Sequence, residues 1–474
     1  ELITKWISSR HSDSEVQKRV DTIIEAFSHL NLPRTPFAIS MFLCILERQE
    51  SYKPQNNAIL IKAYIENLLQ GGNNTASREE FDYINQATVL SEIAYVMLKE
   101  DRTNYAIKIS SAIKIIEDNL EQFHFRKVYN AQTIYNNFLK NGLFTLEPSN
   151  MVRFRFSCFF EYFLYLKMEK NTDFLNEVLN DKNYLKFYNE IVYYTGINRG
   201  DDKIIKRVME DLEYDYIEIN NIVFQQVSDI DDFFNVGSSL LQRIKPEDLM
   251  RVLPDKETTT ENDERNDAVL QKGTIINDED IIRRKNSSKF NNFSRLLLLA
   301  MEVLKNCEEF RSDSKNPNAT KRYYYELVLR NSISYAILFK LITIEMVNHP
   351  EKFPKERIQD LKFIIRLLPV LHEELLRGHL GTYKLTEVIK DKIEDDNNSE
   401  TELSEFERFL SVFLYTDLKG KDCFNVLLGF LKEFKRAYIA DASYFKILSY
   451  YYSSKFPSDD NKLITVYKND RIPL

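Results

Sequence analysis

The spacing of apolar side chains predicts helices along most of the chain. Apolar residues recur with helical spacing within residues 14–30, which predicts an amphipathic helix there. Pro33 and Pro36 interrupt that pattern, and a second helix is expected to begin at Pro36, because proline is tolerated in the first helical turn. Residues 37–46 are almost wholly apolar, so we expect this second helix to be buried on all sides.

Between residues 55 and 165, short strands are predicted among the helices. Residues 105–109 alternate apolar and polar side chains, as a short strand does. Two further apolar runs, 143–146 and 151–154, flank Glu-Pro-Ser-Asn, a sequence that is typical of a hairpin turn. This order of helices and strands predicts a winged helix with a small β-hairpin as its wing.

After residue 165, almost all of the sequence is predicted to be helical, with two interruptions. Residues 255–267 hold six acids, two bases and no apolar side chain, so a mobile linker is expected there, and residues 394–402 are similar but shorter. Successive helices with short loops must bury their apolar faces on neighbours, which predicts an irregular α-solenoid or helical array. The predicted fold class is therefore mainly α.

Composition narrows the classes of function. A net charge of −8, with no dense basic run, argues against broad binding to the phosphate backbone of nucleic acids. Four cysteines without a C-x-x-C pair predict free thiols in a reducing cytoplasm. The longest apolar stretch, Ile333–Met346, contains Lys340 and Glu345 and is too short to cross a bilayer, so no membrane span is expected.

Polar residues form no recognisable catalytic or metal-binding motif in the sequence. His372-Glu373 begins like a zincin motif, but the second histidine four positions after the first is missing. Six scattered histidines suggest no Ser-His-Asp or Cys-His arrangement. The phosphate-binding loop G-x-x-x-x-G-K-[ST] does not occur either. We therefore predict neither a catalytic residue nor a metal ligand in this chain.

Two segments are nevertheless similar to one family. Residues 32–41 read LPRTPFAISM, and residues 154–163 read FRFSCFFEYF. Together they resemble the region that follows the nucleotide-binding core in NACHT-type members of the STAND (signal-transducing NTPase) superfamily. In that family a proline that opens a helix packs on the adenine base. Pro36 matches this proline and Thr35 precedes it, so the resemblance implies that these two residues contact ATP or ADP.

The second segment resembles the end of the family's winged helix and the helix that follows it. Phe154-Arg155 and Phe160–Phe163 follow the family pattern, but Phe156 stands where the family has a histidine that helps to sense the β-phosphate. Phenylalanine can make no such hydrogen bond. We therefore expect Arg155 and Phe156 to be regulatory, with Phe156 stabilising a closed state by packing. Phe156→Ala in the full-length protein should therefore cost about 3–5 kcal/mol locally and promote spontaneous opening.

The resemblance continues through residues 187–196, which read FYNEIVYYTG, and covers residues 1 to about 215. It implies that ATP or ADP is bound mainly by an NTPase core outside this chain, and that the full-length protein is an ATPase switch. The regions predicted in this way are a helical subdomain at 1–54, a winged helix at 55–165, a first helical array segment at 166–254, an acidic flexible linker at 255–289, and a C-terminal helical sensor domain at 290–474.

The function implied by the resemblance is regulation in anti-phage defence. The chain would be the regulatory and sensor portion of a cytoplasmic STAND NTPase, controlling nucleotide-dependent homo-oligomerisation and effector activation. A protein trigger, such as a phage protein, would bind residues 290–474, where we expect tyrosines to supply contact area. This tyrosine-rich surface would include Tyr438, Tyr444, Tyr450, Tyr451 and Tyr452.

Two alternatives remain open from the sequence. In the first alternative, the chain is a non-enzymatic helical scaffold or an inhibitory interaction protein that keeps only the regulatory half. In the second alternative, the chain is a transcription factor whose winged helix binds DNA. The candidate recognition helix at 112–120 argues against this hypothesis. That helix carries Glu117 and Asp118 against the single base Lys114.

Overall fold

A computed structural model divides the chain into two compact units. The described part of the first lies within Glu1–Arg199, and the described part of the second lies within Gly200–Thr259 and Lys289–Leu474. Thr35 lies outside the described residues, as does the predicted linker 255–289 apart from Lys289. The structure describes residues 16, 20, 23, 24, 36–48, 56–70, 81–100, 104–214, 217, 220, 221, 223, 227, 229–235, 289–307, 317–348, 355–398, 404–452, 455 and 456.

The first unit consists mainly of helices. Asparagine side chains cap several of them: Asn56, Asn130 and Asn171 each accept a hydrogen bond from the backbone N–H three residues later. In chain order the elements are α1 (Pro36–Arg48), α2 (Asn57–Leu69), α3 (Tyr83–Glu100), β1 (Ile107–Lys108), α4 (Ile109–Gln122), α5 (Ala131–Lys140), β2 (Phe144–Glu147), β3 (Met151–Phe154), α6 (Ser157–Lys170), α7 (Thr172–Leu179) and α8 (Tyr188–Ile197).

A three-stranded antiparallel sheet lies among these helices, with β3 between β1 and β2. Val152 on β3 pairs with Ile107 on one side and with Leu146 on the other. The turn between β2 and β3 places Ser149 and Asn150 in left-handed conformations, with φ of 64° and 58°. The predicted strands and the hairpin thus lie where the apolar and polar pattern indicated. The prediction of a mainly α chain with a small β element is confirmed.

Aromatic side chains join the sheet to the helices in the core of this unit. The ring of Phe154 stacks on Phe163 at a centroid distance of 5.3 Å and meets Phe144 edge-on at 5.0 Å. Phe160 stacks on Tyr105, at 4.7 Å, just before β1. Rings of this size bury large apolar areas, so the aromatic residues of the second motif hold α6 against the sheet.

Helix α8 carries the segment FYNEIVYYTG apart from its first residue, and packs on α6 and α2. Asn189 donates a hydrogen bond of 2.6 Å to the buried Glu161 carboxylate of α6. At the other end of α8, Asn56 donates to the Gly196 carbonyl at 2.8 Å, and a β-carbon at Gly196 would lie 2.8 Å from that of Ala58. Glycine therefore permits the close crossing of α8 and α2.

The second unit is a set of helices packed on their neighbours. The elements in chain order are α9 (Lys203–Tyr214), α10 (Ile230–Phe234), α11 (Lys289–Asn306), α12 (Pro317–Asn348), α13 (Lys355–Leu380), α14 (Thr386–Asn398), α15 (Glu405–Asp417), α16 (Cys423–Glu433) and α17 (Ala437–Tyr452). Helix α13 contacts α11, α12, α15 and α17, and α14 packs between α12 and α15.

Helix α12 contains a segment, Ala319–Ile344, that is long and apolar enough to cross a membrane by length and composition. This segment is longer than the apolar stretch singled out in the sequence. More than half of its most apolar 18-residue stretch is buried inside the protein. Two of its buried polar side chains are bonded within the unit: Asn331 donates to the Leu327 carbonyl at 2.9 Å, and Lys340 donates to the Phe233 carbonyl at 2.5 Å. These features are typical of the core helix of a helical domain.

Two of the tyrosines predicted for a recognition surface lie in the core of this unit instead. Tyr438 and Tyr450 are buried, whereas Tyr444 is half-buried and Tyr451 is exposed. Tyr438 donates a hydrogen bond of 2.5 Å to Asp231, whose carboxylate also accepts from the first backbone N–H groups of α15. For Tyr438 and Tyr450, helix packing therefore replaces the predicted surface role.

Candidate functional site

Arg155 and Phe156 connect β3 to α6. The backbone N–H of Arg155 donates to the Leu143 carbonyl at 2.9 Å, next to the β2–β3 pairing. Phe156 directly precedes α6 with extended backbone angles, φ −125° and ψ 142°. The Arg155 side chain is exposed and that of Phe156 is half-buried. The sheet therefore fixes the backbone of both predicted regulatory residues at the start of a helix.

The guanidinium group of Arg155 lies against two neighbours. Its central carbon is 5.5 Å from the centroid of the Phe156 ring, a cation–π geometry. One of its terminal nitrogens would lie 3.1 Å from a β-carbon built on Gly142, which has a left-handed φ of +73°. Glycine at this position therefore provides both the turn and the space for the guanidinium group.

Tyr64 on α2 lies near Cys44 of α1 and near the start of α6. Its ring lies 6.2 Å from that of Phe159 on α6. Burial raises the pKa of Tyr64, Cys44 on α1 and Cys158 on α6 raise it further, and Arg155 lowers it. Groups that act electrostatically on one hydroxyl must be close to it, so α1, α2 and the start of α6 converge here.

The position of the first motif is described in part. Pro36 opens α1, as the sequence predicted, but its side chain lies outside the described residues, as does the whole of Thr35. Cys44 lies farther along α1, about 12 Å from Pro36 by the helical rise. The structure thus brings the helix opened by Pro36 to Tyr64, while nucleotide contacts of Pro36 and Thr35 stay predictions.

The expected burial of Phe156 needs correction. The ring meets Phe159 edge-on, with the centroids 5.2 Å apart, but the residue is only half-buried. The loss of apolar burial scales with the area removed from water. Phe156→Ala should therefore cost about 1–2 kcal/mol of folding free energy, less than the 3–5 kcal/mol of a buried ring.

The side chains where β3 joins α6 are suited to binding. The exposed guanidinium of Arg155 presents planar N–H donors that suit a phosphate or carboxylate. Burial raises the pKa of the Cys158 thiol well above its usual range, so the thiol stays protonated and is a poor nucleophile. The arrangement can hold an anion beside an aromatic ring.

The sequence did not predict a second cluster, in the other unit. Carboxylate oxygens of Glu373, Glu374 and Asp417 lie within 4.8 Å of one another, which is a spacing that could hold a metal ion. Instead, the Nζ atom of Lys446 donates to all three, at 2.8 Å to Glu374, 2.6 Å to Asp417, and also to Glu373. The ammonium group already occupies the cation position between these carboxylates.

Charges in this cluster are balanced by further bases. Lys455 also donates to Asp417, and Arg377 donates to Glu374. The lysines hold the pKa of Asp417 far below its usual range despite burial. Burial and the Asp417 charge raise the pKa of Glu373 well above its usual range, although Lys446 opposes this. The cluster is suited to holding α13, α15 and α17 together. In the sequence, the adjacent Glu373 and Glu374 gave no indication that their partners lie on later helices.

A family model described as novel STAND NTPase 4 matches residues 105–164. The matched segment contains the three-stranded sheet, α4, α5 and the first half of α6, and thus both Arg155 and Phe156. No curated protein and no solved structure matches the chain. The match relates this segment to STAND-type NTPases, a family that uses nucleotides.

Proposed function

We propose that this chain is the regulatory and sensor portion of a STAND-type NTPase of the NACHT kind. Residues 55–165 form its winged helix, with the β2–β3 hairpin as the wing, and residues 1–54 form the helical subdomain. A nucleotide-binding core outside this chain supplies most contacts to ATP or ADP. In the resting state the winged helix folds over ADP, and opening permits exchange and homo-oligomerisation.

The observation that carries the proposal is the family match over residues 105–164. It falls on the sheet and on the start of α6, where Arg155 is exposed. The approach of α1 and the start of α6 to Tyr64 adds support, because the helix that Pro36 opens then lies near the second motif. Under this proposal Arg155 binds a phosphate or an acidic group of the nucleotide-binding core, and Phe156 stabilises the closed state by packing.

The second unit is the proposed sensor. Its packed helices form a helical array, which suits binding of a protein trigger such as a phage protein. A trigger that binds the open form more tightly than the closed form shifts the population towards opening. The proposed setting is the cytoplasm, and the proposed outcome is activation of an effector in anti-phage defence.

Residues 1–474 alone are expected neither to bind ATP tightly nor to hydrolyse it. The phosphate-binding loop that cradles phosphates is missing from the sequence, and Pro36 would supply only an adenine contact. Isothermal titration with ATP and ADP, and phosphate release with magnesium, measure both properties. Magnesium-dependent hydrolysis that persists through repurification would place a catalytic site within this chain and contradict the proposal.

Arg155→Ala is expected to weaken ADP retention in the protein that includes the nucleotide-binding core. A hydrogen bond to a charged group contributes about 1.5–3 kcal/mol, so ADP should be lost about ten- to hundred-fold more readily. Nucleotide retained through purification, measured by chromatography, reports the effect. Arg126→Ala is the matched control, because Arg126 is an exposed base of the same unit that pairs with Glu121 at 3.3 Å.

Two results would contradict the regulatory role. If Arg155→Ala and Arg126→Ala retain ADP equally, Arg155 has no part in the closed state. If neither the gene that encodes this chain nor its neighbouring genes encode a phosphate-binding loop that associates with it, the chain is better explained as a non-enzymatic scaffold. Pull-down of a P-loop protein with residues 1–474 tests the second point directly.

A further inference from the structure

The short helix α10 lies in a groove that α12, α15 and α17 of the second unit form. Its segment, residues 229–235, reads Asp-Ile-Asp-Asp-Phe-Phe-Asn, so three acids precede two aromatic residues. The helix itself has only five residues, and a helix this short is unstable in water on its own. Its helical form therefore depends on the groove, as the form of a peptide does when it folds in a binding groove.

The aspartate side chains of this segment contact positive groups of the groove. Asp231 is 9% exposed, and its carboxylate accepts from the backbone N–H groups of Glu405 and Phe406, at 2.8 and 3.1 Å, in the first turn of α15. Arg436, just before α17, donates to Asp232 at 2.6 Å. A helix N-terminus favours a carboxylate, because its unpaired N–H groups and the helix dipole are positive. The groove is therefore complementary to an acidic segment.

The aromatic half of the segment contacts other rings and a buried base. Phe234 is 6% exposed, and its ring centroid lies 4.4 Å from that of Phe406 and 6.0 Å from that of Tyr438. The Nζ atom of Lys340, in α12, donates to the Phe233 carbonyl at 2.5 Å and lies 4.7 Å from the centroid of the Phe233 ring. In the described part of the chain, no carboxylate pairs with Lys340. The groove thus presents a buried ammonium group that needs an acceptor from whatever occupies it.

Bonds that do not involve the segment hold the walls of the groove in place. The Glu405 carboxylate of α15 accepts from the backbone N–H groups of Lys435 and Arg436, both at 2.9 Å, and so joins α15 to the start of α17. The Ser404 hydroxyl caps α15 separately, because it accepts from the Glu407 N–H at 3.2 Å. Helix α15 also packs directly on α17. The groove is therefore expected to persist when the segment leaves it.

We propose that this groove is a docking site for a partner protein, and that residues 229–235 occupy it as an autoinhibitory contact in the absence of that partner. The partner supplies a segment of the same chemistry: a carboxylate for the N-terminus of α15, an aromatic ring for Phe406 and Tyr438, and a carbonyl for Lys340. Because residues 229–235 belong to the same chain, their effective concentration at the groove is about millimolar, and the partner must displace them. Such docking does not depend on the proposed nucleotide switch.

A fluorescent synthetic peptide of residues 227–236 tests the proposal on residues 1–474. The wild type should bind it weakly, because the groove is already occupied. Asp231→Ala combined with Phe234→Ala removes both anchors of the internal segment, so this double variant should bind the peptide at least about ten-fold more tightly than the wild type does. A peptide with Asp231→Asn and Phe234→Ala is the control, because it keeps the length and lacks both anchors.

Arg436→Ala, added to the double variant, tests the groove itself. Arg436 is partly exposed and pairs with Asp232, so its loss should weaken peptide binding several-fold with little effect on folding. Lys421→Ala is the charge-matched control, because Lys421 is an exposed base of the same unit, in the turn before α16. Equal peptide binding by these two triple variants would contradict the assignment of the groove.

Hydrogen exchange of the wild type provides a second test that needs no change to the segment. With the peptide at about 10 mM, well above the effective concentration of the tethered segment, exchange of fragments that contain residues 229–235 should accelerate several-fold. The control peptide should leave that exchange unchanged. A folded double variant that binds no more tightly than the wild type would overturn the proposal, as would equal binding of both peptides. If the double variant does not fold, unchanged exchange of the wild type overturns it instead.

Discussion

Lys446→Met is expected to destabilise the second unit by about 3–5 kcal/mol. The Lys446 side chain is 3% exposed, and it contacts Glu373, Glu374 and Asp417 at once. Methionine fills similar space but leaves the carboxylates without their shared cation, and a buried charge without its partner is strongly unfavourable. Amide hydrogen exchange of peptides from α13, α15 and α17 measures the loss where it should occur.

Two further variants distinguish this ionic cluster from ordinary packing. Lys421→Met is the matched control, because Lys421 is exposed in the same unit, and it should change the free energy of unfolding by less than about 0.5 kcal/mol. Glu373→Gln added to Lys446→Met should recover at least about 1 kcal/mol, since one buried acid then needs no cation. A strictly additive double variant would show that the charges are not coupled.

The second large effect is an acid-sensitive loss of stability caused by His372. Burial lowers the pKa of His372 to about 4, while a hydrogen bond to the Ser332 backbone opposes the shift. The ring lies near two aromatic rings, 6.3 Å from Tyr335 and 6.1 Å from Phe406. Among the described residues, its Nε2 atom has no hydrogen-bond partner, so a proton there would be buried without stabilisation.

The direction of the pH dependence follows from proton uptake. Above about pH 6.5, His372 is neutral in both the folded and the unfolded chain. Between pH 6.5 and about 4, the unfolded chain binds a proton that the folded chain does not, so the free energy of unfolding falls as the pH falls. A shift of this size corresponds to about 3 kcal/mol over that interval.

His372→Gln should remove this part of the acid sensitivity. Urea unfolding at pH 7 and at pH 4.5 gives the loss of unfolding free energy for the wild type and for the variant. Carboxylates that both proteins share contribute equally to this loss. His379→Gln is the control on the same helix, because His379 is partly exposed and contacts Glu302 at 3.0 Å. If His372→Gln loses as much stability on acidification as the control, His372 is not the group responsible.

Local pattern predicted the secondary structure well in the part of the chain that the structure describes. Apolar periodicity indicated helices, and Glu-Pro-Ser-Asn indicated the hairpin turn that joins β2 to β3. Pro36 was expected to open a helix and does so. These features depend on backbone preferences and on apolar spacing within a few residues, which are present in the sequence itself.

Burial of individual aromatic residues was harder to predict. Phe156 was expected to act by packing and is half-buried, whereas Tyr438 and Tyr450 were expected at a surface and are buried. An aromatic side chain can serve either role, and the choice depends on which helix packs against it. That neighbour is set by the arrangement of the whole unit.

The sequence by itself determined the helices, the hairpin and the pair of motifs that resembles STAND-type NTPases. Only the tertiary structure brought Cys44, Tyr64 and Arg155 together, placed Lys446 among three carboxylates, and joined Asn220 to Asn331 across 111 positions of chain. Helical spacing and turn preferences act between near neighbours and so can be recognised in one sequence. A contact between distant residues depends on how every intervening helix packs, and no short pattern encodes that sum of interactions.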